Sequence, residues 1–191
     1  MKIAIDLDDV SFNIIEPLVQ YHNKIHGTSY TVDMFTKYSL EEVWGGTRED
    51  ALREIHDFYK TPEFRDIKPV LDAPEIIKEL AKEHKLYAVT SRTQTVKHIT
   101  CYQICKHLPG CIERVYHTNN FSREHVGIPK SDIFYEIGAD IVIEDCLDHV
   151  MHIPDINIII HDRPWNRVEL PKNMHRAKTW KDIPGIVKKV A

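Results

Sequence analysis

The chain has 191 residues, 42% hydrophobic and 28% charged, which is the composition of an ordinary globular protein with enough length for one full core. The net charge is −4 and no long basic run occurs, so we expect no duplex nucleic acid as a partner. No apolar run approaches the roughly 20 residues of a membrane span, and the N-terminus lacks the apolar region of a signal peptide. We therefore expect a cytoplasmic protein that has no membrane contact.

The first predicted element is a short strand over about 2–6, which ends in carboxylates. Asp6 and Asp8 lie two positions apart, so both project from the same side of an extended chain. Asp is a poor strand residue, so the strand ends here, and open α/β sheets bind ligands at the carboxyl ends of their strands. Two acids in one pocket repel each other unless a cation or a shared proton relieves them. Mg²⁺ prefers oxygen ligands, so the segment indicates a magnesium site.

The next region, residues 12–70, is predicted to contain helices and no strong strand. An apolar stripe indicates a first helix that ends at Gly27, and a second amphipathic helix fits 48–59. The stripe consists of Ile14, Leu18, Tyr21 and Ile25. We interpret the region as a helical insertion after the first strand.

From residue 71 onward, strand and helix patterns alternate. Asp72-Ala73-Pro74-Glu75 predicts a capping box with proline in the first turn, which opens a helix. Strands are predicted at 85–90, 112–117, 140–144 and 156–160, with helices at 93–107, from 130 onward and at 183–190. This alternation favours an α/β fold with a parallel sheet that is flanked by helices on both faces. The main domain would comprise residues 1–11 and 71–191.

Polar residues also follow other predicted strands. Thr90, Ser91 and Arg92 come after an apolar strand, where hydroxyls and free backbone amides can hold a phosphate oxygen. Lys130 begins a helix, where a cation is unfavourable for the helix dipole but can stabilise a phosphoryl group.

A second acidic pair completes the pattern. Glu144 and Asp145 follow the apolar strand at 140–144, and Asp148 comes shortly after. Taken singly, each polar residue also fits a turn, a helix cap or a solvated side chain. The ordered occurrence of acid pair, hydroxyl, lysine and acid pair favours one shared site.

This order resembles the haloacid dehalogenase superfamily over nearly the whole chain. The family's successive motifs are matched by Asp6 and Asp8, by Thr90, by Lys130 and by Glu144-Asp145. The second acid, Asp8, is similar to the phosphotransferase branch, since the dehalogenase branch lacks it. The resemblance implies a Rossmann-like core with a small helical cap at 12–70.

The resemblance also implies a role for each motif residue. Asp6 would be the nucleophile that forms an aspartyl-phosphate, and Asp8 would be the general acid and then the general base. Mg²⁺ would be bound by Asp6, by the backbone carbonyl of Asp8 and by Asp145. Thr90 would bind a phosphate oxygen, and Lys130 would balance the carboxylates. Glu144 and Asp148 resemble helpers around the metal.

Two residues depart from the family pattern. Many members have Gly after the second Asp, where this chain has Asp9, and Ser11 stands where an apolar residue is common. Asp is among the better substitutes for Gly at unusual backbone angles, so we expect activity to be retained.

The chain is most similar to small cytosolic 5′-nucleotidases of the deoxyribonucleotidase kind, and Arg163-Pro164-Trp165-Asn166 adds to that similarity. A cap excludes water and selects the substrate, and its aromatic residues either stack on a base or form the small core of the cap. The residues expected to bind substrate are Ser91, Arg92, Phe35, Tyr38 and Trp44. The similarity implies a small phosphate ester, a nucleoside 5′-monophosphate, as substrate. A sugar phosphate and a non-catalytic phosphate-binding module remain alternatives, and the oligomeric state stays open.

Cysteine and histidine residues allow a further alternative. The four cysteines form no C-x-x-C pair, and free thiols are the simpler interpretation. Zinc binding is the alternative for His98, Cys101, Cys105, His107 and Cys111. For His22 with His26, and for His149 with His152, solvated or core histidines are favoured over metal ligands.

Overall fold

The computed structural model describes residues 1–123 and 126–190. Within this part of the chain, the strands are β1 (Lys2–Ile5), β2 (Lys85–Thr90), β3 (Ile112–His117), β4 (Ile141–Glu144), β5 (Asn157–His161) and β6 (Met174–Ala177). They form one six-stranded sheet in the order β3-β2-β1-β4-β5-β6, and all neighbouring strands are parallel. The prediction of an α/β fold with a parallel sheet is confirmed.

Helices cover both faces of this sheet. Their bounds are α1 (Ile15–His26), α2 (Glu41–Trp44), α3 (Arg48–Phe58), α4 (Pro62–Arg65), α5 (Ala73–Leu80), α6 (Lys97–His107), α7 (Lys130–Ile137) and α8 (Ile183–Val190). Alternate side chains of β1 face opposite ways, because successive residues of a strand point to opposite faces. Ile3 and Ile5 join the core cluster with α5, α6 and α8, whereas Ala4 joins the cluster with α7. Among the described residues, no helix is both long and apolar enough to cross a membrane.

The chain enters and leaves the cap region, residues 12–70, at adjacent points. Phe12 and Pro69 form an antiparallel bridge, and the Val70 amide donates to the Ser11 carbonyl at 3.0 Å. The Asn13 amide donates to the Lys68 carbonyl at 2.9 Å. The assignment of 12–70 as a cap, and of 1–11 with 71–191 as the core, stays a prediction. Residues 124–125 and 191 of that core lie outside the described residues.

Local sequence explains where α1 ends and where α3 begins. Gly27 follows α1 with φ +66°, and its amide donates to the Asn23 carbonyl. That left-handed conformation is where glycine is least strained. Thr47 and Asp50 form a capping box at the start of α3, since each side chain accepts from the other residue's backbone amide.

Two sequence predictions were wrong or incomplete. Asp72 does not form the predicted capping box, because its φ is +64° and its carboxylate pairs with Lys181 at 3.2 Å. Helix α5 nevertheless begins at Ala73. Strand β6 was not predicted, because its central residues, His175 and Arg176, are polar and only partly buried at the edge of the sheet.

Candidate active site

The polar strand ends meet because their strands are neighbours in the sheet. Strand β1 lies between β2 and β4, so Asp6 follows β1 beside the end of β4, and its amide donates to the Ile143 carbonyl at 2.9 Å. Thr90 and Glu144 are the last residues of the two flanking strands. One edge of the sheet therefore carries a hydroxyl and several carboxylates, as the sequence pattern predicted.

Lys130 links two of these carboxylates. Its Nζ donates to Asp6 Oδ1 at 2.7 Å and to Glu144 Oε2 at 2.9 Å, and all three side chains are buried. Its pKa stays above the ordinary lysine value because the two carboxylates outweigh the effect of burial. The pKa of Glu144 falls to about 2 because Lys130 and His149 outweigh its burial. Burial, with the charge of Glu144, raises the pKa of Asp6 well above its usual value.

Asp6, Glu144 and Asp145 form an acidic cluster in which one carboxylate oxygen from each lies within 4.8 Å of the others. Burial and the neighbouring carboxylates raise the pKa of Asp145 well above its usual value. Three buried acids with one lysine leave negative charge uncompensated, and a hard divalent cation relieves it with the oxygen ligands it prefers. The donor set fits Mg²⁺. Asp148 is exposed and outside this cluster.

Two residues that follow β5 hold Asp145 in place. Trp165 Nε1 donates to Asp145 Oδ2 at 2.9 Å, and Asn166 Nδ2 donates to the Asp145 carbonyl at 2.8 Å. Neither was predicted as a site residue. The available indication in the sequence is that Arg163-Pro164-Trp165-Asn166 follows a buried apolar strand.

Asp8 points to a different partner. Its carboxylate accepts from Arg92 Nη2 at 2.6 Å and from Arg92 Nε at 3.0 Å. Arg92 is fully buried, and its Nη1 donates to Gln103 Oε1 at 2.6 Å and to Thr100 Oγ1 at 3.2 Å. The structure thus places Arg92 behind Asp8, as a support for that carboxylate, and the contact of Arg92 with substrate stays a prediction.

The loop after Asp6 explains both departures from the family pattern. Asp9 has φ +58°, in the left-handed region, and its Oδ1 accepts from the Ile14 and Ile15 amides at 3.2 and 3.1 Å. Arg163 donates from Nε to the Asp9 carbonyl at 2.8 Å. Burial raises the pKa of Asp9 to about 7. Ser11 Oγ donates to the Asp6 carbonyl at 2.8 Å, so both residues fix the shape of this loop.

The hydroxyl residues after β2 are buried. Thr90 Oγ1 accepts from the Arg92 amide at 3.3 Å, which places it in the turn between the strand and the next helix. The Ser91 hydroxyl is buried and has no hydrogen-bond partner among the described residues. A buried hydroxyl without a partner is costly, which is consistent with a ligand that supplies one.

A largely apolar cavity lies between the cap region and the sheet edge. Asp8 and Asp145 line it from the core, and α1 and α3 contribute aliphatic side chains. Its other lining residues include Phe35, Lys37, Tyr38, Arg48, Phe58, Tyr59, Phe121 and Trp165.

The three aromatic residues predicted to bind substrate lie in different environments. Tyr38 lines the cavity, and burial with the nearby acidic groups raises its pKa well above the usual value. Phe35 also lines it but is 1% exposed and packs against Trp44 in the small core of the cap region. Trp44 instead stacks on His22, with ring centroids 4.0 Å apart and planes 3° apart. The position of Trp44 favours the alternative that it belongs to the small core of the cap region, and its contact with substrate stays a prediction.

The cysteine and histidine residues that could bind zinc differ in whether other ligand groups lie near them. Across residues 1–123 and 126–190, no cluster of three ligand groups contains the pair His149 and His152 or any of His98, Cys101, Cys105, His107 and Cys111. His22 and His26 do belong to one, together with Glu54.

Comparisons with known proteins agree with this geometry. A family model described as 5′ nucleotidase, deoxy (Pyrimidine), cytosolic type C protein matches residues 1–191. A nucleotidase of Clostridium acetobutylicum is 23% identical over 190 residues, which cover 98% of this chain and 93% of that protein. A protein of Halalkalibacterium halodurans that carries a provisional nucleotidase name is 23% identical over 188 residues, with 94% and 90% covered.

Solved structures extend the likeness to the fold. A haloacid dehalogenase family hydrolase of Deinococcus radiodurans, with bound phosphate and sodium, has a TM-score of 0.64 and 13% identity, and the match covers 99% of this chain and 95% of that one. At this identity the likeness concerns the fold alone.

Proposed function

This chain belongs to the cytosolic type C 5′-nucleotidase family of the haloacid dehalogenase superfamily, and from that premise we propose that it hydrolyses a nucleoside 5′-monophosphate with Mg²⁺ through an aspartyl-phosphate on Asp6. The chain is thus a phosphoric monoester hydrolase whose substrate is a small phosphate ester. The observation that supports this covalent, Mg²⁺-dependent mechanism is a buried cluster beside the cavity. The cluster consists of Asp6, Lys130, Glu144 and Asp145. We place the protein in the cytoplasm, in line with the family description, and without membrane or duplex nucleic acid as partner.

In the first step, a carboxylate oxygen of Asp6 attacks phosphorus and the bond between phosphorus and the ester oxygen breaks. Lys130 holds Asp6 Oδ1, which fixes the carboxylate in place. Asp8 enters this step protonated and gives its proton to the leaving ester oxygen, so that the nucleoside departs as an alcohol and Asp8 is left as the carboxylate.

In the second step, water attacks the phosphorus of the aspartyl-phosphate. Asp8 takes a proton from that water, the bond between phosphorus and the Asp6 oxygen breaks, and inorganic phosphate leaves. Mg²⁺, held by Asp6, Asp145 and the Asp8 carbonyl, would neutralise charge on the phosphoryl oxygens. Thr90 and Ser91 would donate hydroxyl hydrogen bonds to the phosphate.

The cavity supports a nucleotide as the ester. Aromatic side chains such as Tyr38, Trp165 and Phe121 line it and offer faces on which a base can stack. Lys37 and Arg48 line the same cavity and favour an anionic ligand.

Phosphate release from a panel of ribonucleoside, deoxyribonucleoside and sugar monophosphates tests the proposal. We expect release from nucleoside monophosphates with Mg²⁺, none with EDTA, and none from Asp6→Asn, whose fold is checked by circular dichroism. Release only from sugar phosphates would discard the substrate but keep the mechanism. Turnover by Asp6→Asn would refute the covalent step. Binding without any release would favour a non-catalytic module.

A further inference from the structure

A second cluster of ligand groups lies in the cap region, on elements that support the cavity. His22 and His26 come from α1 and Glu54 comes from α3, and their ligand atoms all lie within 4.8 Å of one another. None of the three side chains lines the cavity beside Asp8. The catalytic steps above do not use this cluster.

The geometry of the cluster converges on one point. Residues four apart share one face of a helix, so His22 and His26 project together. His22 Nδ1 lies 2.8 Å from Glu54 Oε1, and His26 Nε2 lies 3.1 Å from Glu54 Oε2. Tetrahedral zinc with bonds near 2.0 Å separates its ligand atoms by about 3.3 Å, and each histidine nitrogen lies within about 0.5 Å of that distance from a Glu54 oxygen.

The surroundings of the cluster hold it in position and leave it one open side. The ring of His22 stacks on Trp44, which fixes its plane, and its side chain is 7% exposed. The Glu54 side chain is 11% exposed, whereas that of His26 is 49% exposed. An ion can therefore enter beside His26, and water can complete its coordination.

The carboxylate of Glu54 is paired with two imidazole side chains. Among the residues that the structure describes, no Lys or Arg forms an ion pair with Glu54, and its ion-pair partners are the two histidines. A neutral imidazole donates a hydrogen bond but carries no charge. A divalent ion would supply that charge, and imidazole nitrogen with carboxylate oxygen suits zinc better than Mg²⁺.

From this arrangement we infer that His22, His26 and Glu54 form a Zn²⁺ site that fastens α1 to α3. Both helices contribute cavity walls, with Ile15 and Leu18 from α1 and Ala51 and Ile55 from α3. The ion would thus stabilise the arrangement of the cavity walls without entering the reaction. The inference does not depend on which phosphate ester the enzyme hydrolyses.

Calorimetric titration of the metal-free full-length protein with Zn²⁺, in saturating Mg²⁺, tests this site. We expect one tight equivalent in the wild type and an affinity at least about tenfold weaker in His26→Ala and in Glu54→Gln. His152→Ala removes an exposed histidine outside the cluster and should leave the affinity unchanged. Equal affinity in the wild type and in both cluster variants would overturn the inference.

Two further measurements separate this site from others. The same equivalent should persist in Asp145→Asn, which weakens the catalytic acidic cluster, and in Cys101→Ser/Cys105→Ser, which removes exposed thiols. X-ray absorption of the wild type with one equivalent of Zn²⁺ should show two imidazole nitrogens, with the remaining ligands oxygen. Sulfur ligands, or no zinc bound below millimolar concentration, would contradict the site without affecting the proposed hydrolysis.

Discussion

The carboxylate of Asp8 and the guanidinium of Arg92 form an ion pair that lies mostly inside the protein. The planar fork of arginine binds both Asp8 oxygens, and lysine cannot reproduce that geometry. We expect Arg92→Lys to lower kcat by about 10- to 100-fold while KM changes little, because Asp8 loses its resting orientation.

Steady-state kinetics of phosphate release measures this effect. Arg167→Lys alters an exposed arginine that pairs with Asp162, and it should behave as the wild type. An unchanged kcat in Arg92→Lys would show that the ion pair does not position the acid.

The hydrogen bond from Trp165 to Asp145 predicts a metal-dependent phenotype. Trp165→Phe keeps the aromatic ring but removes the donor to Asp145 Oδ2. We expect the Mg²⁺ concentration for half-maximal activity to rise by about tenfold, because partners that orient a metal ligand typically contribute that much. Trp44→Phe, in the small core of the cap region, is the matched control. If the Mg²⁺ concentration for half-maximal activity rises equally in both variants, the hydrogen bond from Trp165 does not orient Asp145.

For single residues, the sequence predicted the carboxylates at strand ends but not the side chains that hold them in place. Asp6 and Asp145 were predicted to lie together because parallel strand ends converge on one edge. Lys130, the first residue of α7, could be placed there only by the order of the motifs. The contacts of Trp44 with His22 and of Arg92 with Asp8 were not predictable, because residue type does not determine which neighbour a side chain contacts.

The start of helix α3 is fixed by the capping box of Thr47 and Asp50. Thr47→Ala leaves the Asp50 amide without its side-chain acceptor, so we expect a loss of about 1 kcal/mol in the free energy of unfolding. Urea denaturation measures it, with Thr36→Ala at an exposed position as control. Equal losses of stability in both variants would mean that the capping box of α3 contributes nothing.

Whole elements were predictable to the extent that their pattern was apolar and regular. Strand β2 and helix α8 have the predicted bounds because their apolar runs are bordered by polar residues. Strand β3 also has its predicted bounds, although its Glu113 and Arg114 are exposed. Strand β6 has no apolar run. Its register comes instead from pairing with β5 at the sheet edge. Asp72-Ala73-Pro74-Glu75 has the sequence of a helix N-cap. The positive φ of Asp72 and its ion pair with Lys181 instead direct the carboxylate away from the helix amides.

For the molecule as a whole, buried His161 predicts an acid-sensitive fold. Burial, together with the charge of Arg163, lowers its pKa to about 4 from 6.5. Below about pH 6.5 the unfolded chain binds a proton that the folded chain does not, so stability falls as pH falls, until about pH 4. We expect the wild type to lose about 2 kcal/mol more than His161→Gln between about pH 7.5 and pH 5.

Urea denaturation at both pH values measures this difference. His152→Gln changes an exposed histidine and should keep the acid loss of the wild type. If His161→Gln loses as much stability as the wild type, other groups cause the acid sensitivity.

The bridge between Phe12 and Pro69 has a consequence for the evolution of such proteins. Because the two ends of residues 12–70 meet, that segment can be shortened, lengthened or exchanged between relatives without moving any strand of the sheet. A short turn that joins Phe12 to Pro69 would restore an uninterrupted chain. The sheet and the segment inserted after its first strand can therefore diversify at separate rates, the sheet by point substitution and the segment by replacement as a whole.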